Sequence, residues 1–287
     1  MRHVTEATLQ PVVRGQINYV RNAPDSTDGV PEFVTADESQ STMIVLPGRE
    51  VEITDARGIA TQIDRDGFEL VPHVSAVQDF RLIEEDPDVD ALYYAEMTEL
   101  LKSVTGAALV FGLGNGKKRF GESEAARQDQ LRNALPARFA HADNTDDSSR
   151  GLAELFAQFL PEIDLAAHSR WAMYNMWRAV TPPPQDIPLS VCDARTVAPE
   201  DEILIRSVST ERVGVVTHDT TGYRFNPRHR WFFFSDMTRD EVLIFKAHDT
   251  DPLRSHRVPH SAFTGPPCPP GTPTRASVEF RGLALFA

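Results

Sequence analysis

The chain has 287 residues, is 41% hydrophobic and 25% charged, and carries a formal net charge of -13 with a pI near 5.1. That length and composition suffice for a sizeable buried core and exclude general disorder, while the acidity argues against nucleic acid as a partner, since phosphates attract basic surfaces. No segment reaches the roughly 20 apolar residues of a membrane helix, residues 1–14 hold no signal-peptide core, and Cys192 and Cys268 share no metal or redox spacing, so a reducing, cytoplasmic setting is expected.

In chain order, residues 16–20 alternate weakly, and the polar stretch 25–41 reads as a loop. Residues 50–54 alternate cleanly and run into a turn at 55–58; Asp66-Gly67 is a turn signal before a strand at 68–71. Val89, Leu92, Tyr93, Met97, Leu100 and Val104 recur at helical spacing, so 89–104 is predicted to be helical. Short strands are expected at 107–111 and 137–142, then a helix over 149–160 capped by Ser148 or Ser149. Further strands are predicted at 171–180, 189–197, 202–208, 213–217, 223–225, 231–234, 242–246, 258–263 and 276–286. They do not alternate with helices, which disfavours a parallel α/β sheet. Their number and spacing suit a mainly β chain with flanking helices around a double-stranded β-helix, a jelly-roll or cupin-like core, although other sandwiches share the count. One domain is expected over 1–287, with hairpins and a helix (1–104) packed on the jelly-roll core (105–287).

Residues 139–145 read Phe-Ala-His-Ala-Asp-Asn-Thr. On a strand, positions two apart share a face, so His141 and Asp143 converge on one point. Two histidines and one carboxylate on one face of an octahedron leave positions for a bidentate 2-oxo acid and dioxygen. Alone, this spacing is equally that of a surface His and Asp beside a turn. Near the C-terminus, Arg275, Ser277, Glu279 and Arg281 share one strand face, and Ala276, Val278 and Phe280 the other. An arginine and a serine two apart can hold a carboxylate through a charge-assisted fork and a hydroxyl; otherwise this is a solvated face paired through Glu279. His260 lies shortly before that strand and is the candidate third ligand.

The chain also resembles the CmcJ/AsaB-type oxygenases, a hydroxylase/desaturase family of secondary metabolism. The resemblance rests on residues 174–178 (YNMWR), 188–195 (PLSVCDAR), 226–234 (NPRHRWFFF), 236–246 (DMTRDEVLIFK) and 260–263 (HSAF), with the 275–281 strand, and towards the front on 66–70 (DGFEL) and 105–107 (TGA). It implies a jelly-roll oxygenase that uses iron(II) and 2-oxoglutarate with dioxygen on a small-molecule substrate. It supports His141 and Asp143 as ligands; His229 and His260 both fall in matching motifs, and strand order favours His260. Asn144 stands where the family pattern has an aromatic residue, and His248-Asp249-Thr250 where it has Tyr-Asp-Ser.

Asn175 and Trp177 share a strand face and Arg178 takes the other; these and Trp231 are candidate substrate contacts, or else Trp177 and Trp231 are core and Arg178 pairs with an acid. His218, His248 and His256 read as solvated, with the last two within loop reach of a metal. Ser261 lacks the base and acid of a hydrolase. Two alternatives remain open: an iron oxidase that dispenses with 2-oxoglutarate, in which Arg275 would bind a substrate carboxylate, and a metal-free jelly-roll binding protein.

Overall fold

The computed structural model describes residues 11–21, 29–34, 38–120, 136–211 and 214–287. The first half holds β1 (Val12–Ile17), β2 (Val20–Arg21), β3 (Glu32–Val34), β4 (Ile44–Val45), β5 (Arg49–Asp55), β6 (Phe68–Pro72), helix α1 (Pro87–Thr105), β7 (Leu109–Gly112), β8 (Lys117–Phe120) and β9 (His141–Ala142). There follow helix α2 (Asp146–Phe159), β10 (Arg170–Ala179), β11 (Leu189–Cys192), β12 (Glu202–Glu211) and β13 (Gly214–Tyr223). The last strands are β14 (Trp231–Phe233), β15 (Glu241–Asp249), β16 (His260–Ala262) and β17 (Ala276–Phe286).

These strands build two main sheets. One runs β1-β5-β14-β11-β16-β9-β13-β12-β3; the other runs β6-β15-β10-β17-β7, with β8 also paired to β17. The chain is thus mainly β, with two α-helices among the described residues. The sheets face each other across a shared apolar layer, in which Phe68, Trp177, Leu243 and Phe245 of the second meet Leu189 and Val191 of the first. β10 is buried along nearly its whole length, which is why it reads as a near-continuous apolar run. Its outer face (Ala172, Tyr174, Met176) packs on Tyr93, Met97 and Leu101 of α1, and its inner face looks into the space between the sheets.

Local chemistry sets the helix ends. Asp86 caps α1 by accepting from the backbone N–H of Asp88 and Val89, Pro87 occupies the first turn, and Gly106 closes the helix at φ 69°. α2 starts at Asp146, earlier than 149, and its cap is Thr145; Ser148 is the reciprocal partner in a capping box. The predicted strand 137–142 shrinks to His141–Ala142. The strands predicted at 213–217 and 223–225 are one strand, because β13 pairs with β12 from Glu202↔Tyr223 to Glu211↔Gly214. Its middle (His218, Asp219, Thr220, Thr221) looks like a turn in sequence, yet Asp219 is paired with Arg206 at 3.2 Å and Thr221 Oγ1 donates to the Asn144 carbonyl at 3.1 Å. The loop read at 25–41 contains β3; its residues 25–28 and 35–37, like residue 213 and the 1–10 part of the N-terminal reading, lie outside the described residues. No described helix is long and apolar enough to cross a membrane.

Candidate metal centre

β9 is two residues long, wedged between β16 and β13. Ala140 and Ala142 point into the apolar cluster on the far side of the nine-stranded sheet, so His141 between them points to the space between the sheets. Gly222 lies opposite His141, and a Cβ there would collide with the side chains of Ile205 and Val20. On the other side His141 faces His260 across the β9–β16 pair, with ring centroids 4.3 Å apart. Asp143 follows the strand. Its Oδ1 lies 3.9 Å from His141 Nε2 and its Oδ2 lies 4.0 Å from His260 Nε2. The three ligand atoms lie within 4.8 Å of one another.

Both imidazoles are oriented from behind. Nδ1 of His141 faces the Phe139 carbonyl at 2.8 Å, and Nδ1 of His260 faces the Val258 carbonyl at 3.3 Å. A carbonyl can only accept, so each Nδ1 carries the proton and each Nε2 lone pair is turned towards Asp143. Burial, with His260 alongside, holds the His141 pKa at about 3, so its imidazole is neutral. Burial alone would raise Asp143, but Arg281 and the two histidines, with the Asn175 hydrogen bond, hold it well below the usual carboxylate range. The result is a neutral imidazole at His141 beside an ionised carboxylate at Asp143.

Asn175 and Arg281 face each other across β10 and β17. Asn175 Nδ2 donates to Asp143 Oδ2, while Arg281 Nη2 lies 3.1 Å from Asp143 Oδ1 and 2.9 Å from Glu279. The six-stranded sheet therefore holds a carboxylate supplied from the opposite sheet. Further along the same inner face, Arg275 is 2% exposed, donates Nη1 to the Ile187 carbonyl at 2.9 Å and stacks over Trp177 at 5.3 Å. Its Nε and the Ser277 hydroxyl are both buried without a hydrogen-bond partner. Burial lowers the Arg275 pKa to about 10. A buried cation with a spare donor, two residues from a spare hydroxyl, fits an incoming carboxylate.

The other candidates are placed as follows. Trp177 is on the inner face, in the core beneath Arg275. Arg178 is turned to the outer face and donates to the carbonyls of His73 and Arg239, away from the triad; strand alternation puts it there, and its partners are carbonyls where an acid is one expectation. Trp231 alternates with Phe232 and so lies on the far side of the nine-stranded sheet, where its indole donates to the Tyr19 hydroxyl at 2.8 Å. Neither Arg178 nor Trp231 can meet a substrate at the triad. His229 is bound to Asp201 at 3.1 Å and stacks on Tyr19, apart from His141 and Asp143. Ser261 is buried and donates to the Ala262 carbonyl. His218 is half-buried within β13. His248 is buried, contrary to its reading as solvated, and sits with His256 and Asp146. The contacts of Asn175 and Arg281 with Asp143 have no sequence signal beyond strand parity.

A family profile described as an oxidoreductase/YMDC permease-like domain matches residues 17–285. The chain is 30% identical to hydroxylase/desaturase efuI of Hormonema carpetanum, over 99% of this chain and 98% of that protein. It is 29% identical to the alpha-ketoglutarate-dependent dioxygenase phiK of a fungal species, over 100% of both chains. A solved variant of the iron and alpha-ketoglutarate-dependent endoperoxidase NvfI superposes with a TM-score of 0.80 at 25% identity, covering 96% of this chain and 97% of that one. The chain belongs to the hydroxylase/desaturase family of Fe(II)/2-oxoglutarate-dependent dioxygenases of secondary metabolism.

Proposed function

We propose that the chain uses iron(II), 2-oxoglutarate and dioxygen to hydroxylate, desaturate or oxidatively cyclise a small-molecule substrate. In this reading His141, Asp143 and His260 hold the iron, and Arg275 with Ser277 holds the distal carboxylate of the cosubstrate. The two facing sheets are read as a double-stranded β-helix, a jelly-roll core within a single oxygenase domain.

The observation that carries the reading is the donor set: two imidazole nitrogens and a carboxylate oxygen within 4.8 Å of one another. Such a set suits iron(II) and leaves coordination positions open. When bound, iron and 2-oxoglutarate supply the oxidising power, with dioxygen reduced and the 2-oxo acid converted to succinate and carbon dioxide as a substrate C–H bond is oxidised. The protein's part is orientation. The Phe139 and Val258 carbonyls fix the two tautomers, and Asn175 fixes the carboxylate. Phe139 and Phe245 lie against the His141 and His260 rings at 4.9 and 4.8 Å and limit water on that side. Trp177 sets the plane of the Arg275 guanidinium, whose Nε then finds in a carboxylate the acceptor it lacks in the protein.

Anaerobic iron(II) titration and a screen for substrate-dependent succinate release test this together. One tightly held iron is expected in wild type and in His229→Ala, and none at that affinity in His141→Ala or His260→Ala. Full iron uptake by His141→Ala, or uptake lost in His229→Ala and kept in His260→Ala, refutes the ligand set.

A further inference from the structure

A second group of ligating side chains gathers beside the triad. Asp146 opens α2, His248 lies near the end of β15, and His256 lies between β15 and β16; their ligand atoms also fall within 4.8 Å of one another. His248 faces inward opposite Met173, whereas the triad is reached from Asn175 two residues further along β10 and Arg275 stacks beyond it on Trp177. The group therefore lies on the side of the triad away from Arg275.

Its hydrogen bonding is incomplete. Nδ1 of His248 is 3.3 Å from Asp146 Oδ1, off line for a hydrogen bond, and is buried without a partner in a residue only 6% exposed. Nδ1 of His256 donates to the Asp249 carbonyl at 2.9 Å, and Nε2 is hydrogen-bonded to Asp146 Oδ1 at 2.6 Å. Arg257 stands beside them: its Nη2 reaches both Asp146 and His256, while Nη1 is anchored on Thr221 Oγ1 at 2.8 Å. Nδ1 of His248 is left without an aligned hydrogen-bond partner. Asp146 has two oxygens and can serve Arg257 and a metal together.

We propose that Asp146, His248 and His256 form a second divalent-metal site, distinct from the triad, that takes Zn(II). Two imidazoles and a carboxylate with an outward opening are an ordinary zinc donor set. The Asp249 carbonyl behind His256 is the outer contact that fixes a ligating tautomer. His248 stands where the family pattern has tyrosine, which makes the site a property of this chain.

The test is a Zn(II) titration of the full-length, chelator-stripped protein against a competing indicator. Wild type is expected to bind two equivalents, His141→Ala one, His256→Ala one, and the double variant none. The His256 side chain is 40% exposed, so its removal leaves the fold intact, as circular dichroism will show. If wild type binds a single equivalent, or His256→Ala keeps both, the assignment is overturned and Arg257 is the cation that Asp146 retains. If His141→Ala keeps both while His256→Ala loses one, the second site stands and the triad reading fails.

Discussion

Arg275→Met should weaken 2-oxoglutarate binding while leaving the apoprotein at least as stable as wild type. The guanidinium is 2% exposed, has one protein acceptor in the Ile187 carbonyl, and no carboxylate among the described residues pairs with it. Burial brings its pKa down from the usual arginine value to about 10, which at 1.36 kcal/mol per pKa unit is a penalty of roughly 3 kcal/mol for keeping it charged. Methionine keeps the length and the contact with Trp177 and removes the buried charge. It also leaves the Ile187 carbonyl unpaired, at a cost of about 1–3 kcal/mol. The net change in the apoprotein is then about 0–2 kcal/mol in favour of the variant, a rise in Tm of up to a few degrees for a chain of this size. Loss of the charge-assisted bond to the cosubstrate costs about 2–3 kcal/mol, roughly 30- to 150-fold in Kd. Titration of Arg275 does not confound the comparison. Its folded pKa is depressed, so the unfolded chain binds more protons only from about pH 10 up to the ordinary arginine value, and stability from this group rises with pH only there. Thermal denaturation of the apoprotein and calorimetric titration with 2-oxoglutarate, with Mn(II) in place of iron, give both numbers. An unchanged Kd, or an apoprotein destabilised by more than about 2 kcal/mol, would show that Arg275 is a structural residue and refute the pocket.

Three more outcomes are expected. Asn175→Ala removes the donor to Asp143 Oδ2 and should lower metal affinity by about 10- to 100-fold in a Co(II) titration; an unchanged affinity would mean Asn175 does not position the ligand. Trp231→Phe removes the bond to Tyr19 on the far side of the nine-stranded sheet, for a loss of about 1 kcal/mol with substrate KM unchanged; a shifted KM would return Trp231 to the site. Asp249 is pushed up by burial but held below the usual carboxylate range by its bonds to Arg170 and Lys246. Its contribution is present above the unfolded carboxylate pKa and is lost as pH falls below about 4, where the unfolded chain binds the extra proton. Asp249→Asn should therefore cost about 3 kcal/mol at neutral pH, since Asp64 still pairs with both cations, and should flatten the acid side of the stability curve. Equal acid slopes in the two proteins would count against this linkage.

What the sequence by itself determined is local. Side-chain direction along a strand has a period of two, so the convergence of His141 with Asp143 and the shared face of Arg275, Ser277, Glu279 and Arg281 can be read from spacing. Helix α1 is legible from its apolar stripe, and its true ends from Asp86-Pro87 and Gly106 once those caps are given their weight. Register and sheet packing are not local, and the sequence is silent on both. His229 and His260 stand in equally β-rich surroundings; His260 meets His141 only because β16 pairs with β9, while His229 is taken up by Asp201. Parity puts Asn175 and Trp177 on one face, but only the pairing of β10 with β17 and the approach of the two sheets bring Asn175 and Arg281 to Asp143. The same holds for Asp146, His248 and His256. Asp146 and His256 are 110 positions apart and look like ordinary surface residues, yet they share a hydrogen bond because the first turn of α2 packs against the segment after β15.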